Sequence, residues 1–264
     1  HSFSNWLLVK RASVIQNTDE IDIKLYLKSL HGLNLSHTTI NRKLSSLKHF
    51  FIFLNKKRYV QHNPVINFSG LKNIKPLPKS LSITDVNMLL NAPDSSNFIG
   101  LRDKAMLELM YATGVRISEL INLQYTNIDL TRSLIKVMGK GGKERMIPFG
   151  DNALSWLTEY IEYRRTNNLS LKSRDFFVSQ QGKKITRQAF WHRVKQYLAI
   201  SGLSADVSPH TLRHAFATHL LNNGADLRSV QMLLGHSDLS TTQIYTHIAK
   251  QRLSDMVKEH HPRG

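Results

Sequence analysis

The stretch Ser69-Gly70-Leu71-Lys72-Asn73-Ile74-Lys75-Pro76-Leu77-Pro78-Lys79-Ser80 constrains the fold of this chain more than any other feature. Two prolines and a glycine so close together stop any helix or strand from running through it. The apolar residues on either side must therefore be buried in separate cores, and the segment reads as an interdomain linker. We place a helical domain at residues 1–72, the linker at 73–80 and a second domain at 81–264. At 264 residues and 30.3 kDa the chain is long enough to support two cores. It contains no apolar run of the roughly eighteen residues that a membrane span needs. It opens at His1 with neither an initiator methionine nor a basic-then-apolar leader, so a short leading segment is expected to be missing.

The first domain reads as helical, most clearly from Ser36, where Ile40, Leu44, Leu47, Phe51 and Leu54 recur at helical spacing. That stripe is a core face. Arg42, Lys43, Lys48 and His49 lie off it and Lys56-Lys57-Arg58 follows, a pattern that suits either a helix laid on a phosphate backbone or an ordinary solvated face. Beyond the linker, helices are predicted over Asp85–Leu90, Leu101–Tyr111 with a stop at Gly114, and Arg116–Leu123. Two short apolar runs, Leu134–Met138 and Arg145–Phe149, flank Gly139-Lys140-Gly141-Gly142-Lys143, the signature of a β-hairpin. Further helices are expected at Asn152–Arg164, Arg187–Ile200, His210–Asn222, Leu227–Leu234, Thr241–Ile248 and Gln251–Lys258, with a strand at Phe176–Ser179. A polar tail from Glu259 to Gly264 is too short to fold alone. The fold class is mainly α with a small β-hairpin or sheet.

Charge narrows the partner. The chain carries 36 Lys and Arg against 19 Asp and Glu, a net charge of +17. Residues 1–75 hold 12 basic and 3 acidic side chains, so both domains share the excess and both can face a polyanion. The absence of cysteine excludes disulfides and thiolate metal sites and fits a reducing, cytoplasmic setting. Thirteen histidines suggest zinc, but His214 and His219 are five apart, no HExxH occurs and no acid stands where a third ligand would be, so no metal site is expected. The glycine–lysine turn lacks the spacing of a nucleotide-binding phosphate loop.

Two cations stand where helix electrostatics disfavours them, since a helix start carries partial positive charge and prefers Asp or Glu. Arg116 is predicted in the first turn of the helix after Gly114. His210 is predicted in the first turn after Ser208-Pro209, with Arg213 just beyond. An anion held there by backbone amides and guanidinium together would account for both. Pairing with an acid such as Asp103 or Glu119 would account for each one singly.

Taken together, Arg116 within Ala112-Thr113-Gly114-Val115-Arg116-Ile117-Ser118-Glu119-Leu120, Lys140 in the hairpin, His210-Thr211-Leu212-Arg213-His214, Leu234-Gly235-His236 and Tyr245 resemble the tyrosine recombinase (phage integrase) family in residue type, order and spacing. The stretch Val207–His261 is similar to the bacterial chromosome-dimer recombinases of that family. The match is looser before Pro78, where the first helix of the family's amino-terminal domain looks missing or shortened.

The resemblance implies a core-binding, SAM-like amino-terminal domain and a recombinase catalytic domain that close as a C-shaped clamp on double-stranded DNA. It implies site-specific cutting and rejoining of DNA through a 3′-phosphotyrosyl intermediate, without cofactor, and resolution of chromosome dimers at cell division. Tyr245 would be the nucleophile, with Arg116, Lys140, His210, Arg213 and His236 completing the catalytic set. Arg42, Lys43, Lys48, Lys72, Lys75 and Lys143 are the candidate DNA contacts. The implied assembly is a heterotetramer with a paired, XerC-like recombinase, controlled by an FtsK-like DNA translocase. Type IB topoisomerases share the same residue types, integrases of mobile elements share the chemistry, and a DNA-binding regulator without catalysis would explain the charge alone.

Overall fold

The computed structural model describes residues 2–11, 13–70, 81–139, 142, 144–167, 169, 173–204, 206–235 and 247–264, and of residues 247–252 the backbone alone. The chain divides into two compact units, His1–Leu77 and Pro78–Gly264.

The first unit is helical: α1 (Ser2–Arg11), α2 (Glu20–Gly32) and α3 (His37–Lys56). Local chemistry sets the helix starts. Asp19 accepts the Asp22 N–H at 2.8 Å, and Asp22 in turn accepts Arg11 Nε at 2.7 Å, tying the end of α1 to the start of α2. Ser36 caps α3 by accepting the Thr39 N–H. The stripe read from the sequence packs inward through Ile40, Leu44, Leu47 and Phe51, which meet Phe3 and Tyr26 in one apolar cluster.

The second unit opens with α4 (Ile83–Asn91) and α5 (Phe98–Thr113). Ser82 caps α4 by accepting the Asp85 N–H. Helix α5 is buried on almost every side, including Arg102, Asp103, Lys104 and Glu108. A buried charge survives only when paired. Arg102 and Arg193 bind Asp103 at 2.6 and 2.9 Å, and Lys104 and Arg263 bind Glu108 at 3.2 and 2.7 Å. Packed around α5 are α7 (Asp151–Thr166) and α9 (Pro209–Asn222). The remaining helices are α6 (Ile117–Leu120), α8 (Arg187–Ile200), α10 (Leu227–Leu234) and α11 (His247–His260). A three-stranded antiparallel sheet, β1 (Ile128–Asp129), β2 (Leu134–Met138) and β3 (Glu144–Pro148), contains the hairpin read from the sequence, with Val137 opposite Arg145 and Leu134 opposite Pro148.

Four expectations are corrected. The helix from Arg116 stops at Leu120 rather than Leu123, because the Leu123 carbonyl accepts the Phe176 N–H at 2.8 Å and the chain turns away. Phe176–Ser179 is not a strand: it makes one single bridge, Val178 with Lys184, and a second bridge, Gln124 with Asp175, falls just before it. Side chains take the ladder groups there: Arg164 binds the Phe176 carbonyl at 2.7 Å, and Tyr160 Oη receives the Val178 N–H at 3.2 Å. The last helix begins at His247 and runs without a break to His260, since no glycine or proline interrupts Ala249-Lys250-Gln251; residues 241–246 of the other expected helix lie outside the described residues. The tail after it is docked. His261 is buried, and Arg263 binds Glu108 and Asn87. Among the described residues no helix is long and apolar enough to cross a membrane.

Candidate active site

Gly114 sets the geometry of the site. It ends α5 with φ +58°, a left-handed conformation that costs a side-chain-bearing residue about 1 kcal/mol or more. A Cβ there would also lie 2.4 Å from the Phe216 ring of α9. The tight crossing turns the chain so that Arg116 emerges beside α9.

Arg116 is the N-cap of α6 rather than a residue of its first turn, and α6 is only four residues long. Its helix dipole is correspondingly slight, so an anion here would be held by side chains. The Arg116 backbone N–H donates to Glu119 Oε2 at 2.9 Å and its guanidinium to Glu119 Oε1 at 3.0 Å. The expected acid partner is thus Glu119, while Asp103 is engaged by Arg102 and Arg193.

Helix α9 is started by Ser208, which accepts the Thr211 N–H, and by Pro209 at its first position. His210 follows, exposed, and Arg213 stands three residues on, along the same face. The Arg213 guanidinium reaches across to the Gly114 carbonyl and donates to the Leu234 carbonyl at 2.5 Å. Among the described residues it makes no ion pair with a carboxylate. Burial, and then the positive charges of Arg116 and Arg145, bring its pKa down to about 10, with Glu119 opposing. It still carries a full charge at neutral pH.

Arg145 on β3 was read from the sequence only as part of a strand, and it proves central. It is 6% exposed. Its two terminal nitrogens bind both Glu119 oxygens at 2.9 and 2.7 Å, and its Nε donates to the Leu233 carbonyl at 3.0 Å. The signal lay in the alternation of β3, which gives Arg145 the inward parity of Ile147. Burial pushes the Glu119 carboxyl up, but hydrogen bonds from Arg145 and Arg116 outweigh it and hold its pKa below the usual carboxylate range. Two guanidiniums, Arg116 and Arg145, therefore bind one carboxylate, and Arg213 stands close enough to feel both their charges, so the group carries two positive charges in excess for an anion.

Of the remaining candidates, Lys140, His236 and Tyr245 lie outside the described residues, as do Lys72, Lys75 and Lys143. In the first unit Arg42 is exposed on α3. Lys43 and Lys48 are half-buried, and Lys43 Nζ donates to Ser2 Oγ at 3.1 Å. His219 is occupied structurally, its two ring nitrogens bonded to Tyr111 Oη at 2.8 Å and the Leu81 carbonyl at 2.9 Å.

Comparison with known proteins sets this geometry in a family. Residues 79–252 match the phage integrase family, and residues 1–58 match its N-terminal SAM-like domain. The chain is 47% identical to tyrosine recombinase XerD of Proteus mirabilis over all of its own length and 84% of the relative's. It is 48% identical to XerD of Haemophilus ducreyi over 99% of its length and 88% of the relative's. Among solved structures, the XerH site-specific recombinase bound to a palindromic difH substrate superimposes with a TM-score of 0.72, at 27% identity, over 92% of this chain and 72% of that one. With both domain models matched and a basic three-arginine site at the core of the larger unit, the chain belongs to the phage integrase family, that of the tyrosine site-specific recombinases.

Proposed function

We propose that this chain breaks and rejoins DNA by in-line attack of Tyr245 on a phosphodiester. The attack forms a bond from Tyr245 Oη to phosphorus and breaks the bond to the 5′ oxygen, leaving a 3′-phosphotyrosyl link and a free 5′ hydroxyl. Negative charge grows on the non-bridging oxygens as the attack proceeds. Arg116 and Arg213 would hold that charge, since guanidinium forks match it in a way lysine does not. His210 would accept the phenol proton, because a tyrosine with pKa of about 10 is mostly un-ionised at neutral pH. Lys140 would protonate the departing 5′ oxygen, and His236 would add a hydrogen bond to the phosphate. The link stores the ester, so a 5′ hydroxyl from another strand reverses the step and completes recombination without a nucleotide cofactor.

The observation that carries this reading is the grouping of Arg116 and Arg145 on the single carboxylate of Glu119, with Arg213 beside them and paired to no carboxylate among the described residues. Similarity to XerD over the whole chain supports recombination between two duplexes over relaxation of supercoils. By the same similarity, we assign the chain to resolution of chromosome dimers, working with a paired XerC-like recombinase in a heterotetramer under an FtsK-like translocase. Arg42, Lys43, Lys48, Lys72, Lys75 and Lys143 are proposed to contact the DNA backbone, giving a salt-dependent affinity.

A nicked suicide substrate tests the chemistry, since loss of the short 5′ fragment traps the covalent adduct. The native protein should give a protease-sensitive protein–DNA band that survives denaturation and treatment with EDTA. Tyr245→Phe should bind the same DNA and give no such band. An adduct from the Phe variant would overturn the assignment of the nucleophile.

A further inference from the structure

Arg145 makes three hydrogen bonds to two elements that do not otherwise share a strand or helix. Both oxygens of Glu119 are held by its Nη1 and Nη2, and the Leu233 carbonyl by its Nε. Glu119 passes the constraint on, because the same two oxygens hold the Arg116 backbone N–H and guanidinium. The Leu233 bond fixes the end of α10 one residue before Leu234, whose carbonyl receives Arg213. Gly235 completes the fit: it ends α10 at φ +69°, and a Cβ there would sit 3.1 Å from the Arg145 side chain. The chain thus makes room for this one guanidinium, and the arginine itself is too deeply buried to meet a substrate.

We propose that Arg145 is a positioning residue for the phosphate clamp, setting Arg116 through Glu119 and Arg213 through the end of α10. The inference rests on the reading of Arg116 and Arg213 as the groups that hold the scissile phosphate. Its physical basis is the planar fork. Lysine supplies the charge but is a point donor on a flexible stem, and cannot hold two carboxylate oxygens and a carbonyl in one plane. Displacing a catalytic group by about 1 Å costs on the order of a hundredfold in rate. An arginine that served only to fill the core would affect every substrate alike.

The test compares Arg145→Lys with the native protein in single-turnover cleavage on two suicide substrates. One carries an ordinary scissile phosphate. The other carries a methylphosphonate, in which a methyl group replaces one non-bridging oxygen and removes the charge that the clamp must neutralise. We expect Arg145→Lys to bind both DNAs as the native protein does, to cleave the ordinary phosphate about a hundredfold more slowly, and to lose less than tenfold on the methylphosphonate. Equal losses on the two substrates, or no loss on the ordinary one, would overturn the proposal. Glu119→Gln gives a second route if the lysine variant folds poorly, since it keeps the side-chain shape while weakening the grip on both arginines. It should show the same preference for the methylphosphonate, and its absence would also overturn the proposal. Failure of the native protein to form an adduct on the ordinary substrate would instead remove the recombinase chemistry on which the inference stands.

Discussion

Among the described residues, the amino-terminal unit buries a single charged side chain, Asp22, against seven carboxylate, ammonium and guanidinium groups buried in the carboxy-terminal unit. The apolar surface is divided the other way. Eleven of the seventeen exposed large apolar side chains, among them Val9, Ile52 and Phe53, belong to the smaller amino-terminal unit. A buried ion network is a weak source of stability, but each member constrains the direction of its partners. The carboxy-terminal unit thus uses its interior to aim side chains, as Arg145 and Glu119 do for Arg116. The amino-terminal unit leaves more of its large apolar side chains exposed instead.

The largest effect that would break this contrast concerns the clamp. Arg213→Lys keeps a positive charge but loses the fork that spans the Gly114 and Leu234 carbonyls. Adduct formation should fall by about a hundred- to a thousandfold with DNA affinity little changed. Near-native cleavage in a single-turnover assay would show that aim within this unit matters less than charge.

Next in size is Arg164, fully buried and donating to the Leu169, Asp175 and Phe176 carbonyls. Arg164→Ala opens a cavity and strands those acceptors, so a denaturant melt should register a loss of about 3 kcal/mol. A loss under 1 kcal/mol would mean that the interior network is easily replaced.

The pH response sharpens the same point at a smaller scale. Burial brings the His261 pKa down to about 3, and burial also lowers that of His219. A depressed histidine binds its proton more readily in the unfolded chain. Its contribution to stability is therefore complete above the unfolded pKa near 6.5 and is lost as pH falls from there towards 3. His261 alone should cost about 2 kcal/mol between pH 7 and pH 5. His261→Leu should flatten that part of the stability profile, and an unchanged slope would show that the tail is not docked in solution.

The smallest effect is expected in the other unit. Ile52→Ser removes an exposed apolar side chain from α3, and the melt should move by no more than about 0.5 kcal/mol. A larger loss would place Ile52 in the unit's packing and weaken the contrast between the units.

The features legible in the sequence share a local physical origin. Ser36, Ser82 and Ser208 announce their helices because a cap bonds to a backbone N–H three residues away. Gly114 announces a stop because φ is a property of one residue. The stripe Ile40, Leu44, Leu47 and Phe51 and the hairpin around the glycine–lysine turn follow from periodicity. For the same reason Arg116 and His210, with Arg213 just beyond it, stand out as cations near helix starts, although only the fold brings Arg116 and Arg213 together. Lys140, His236 and Tyr245 rest on their place in the motif.

What the tertiary structure alone decided were the pairings between distant residues. Glu119 takes Arg145 from 26 positions away, Leu233 takes it from 88, and Glu108 takes Arg263 from 155. Local propensity carries no information about such partners, because a carboxylate or carbonyl is chosen by where packing delivers it. The segment Phe176–Ser179 shows the competition directly: its apolar residues favour a strand, yet Arg164 and Tyr160 arrive from α7 and claim the groups a strand would have used. The chain's sequence determined which charged side chains were available, and the packing of α5, α9 and β3 determined which of them lie together, since burial of charge is tolerated only where the fold supplies the partner.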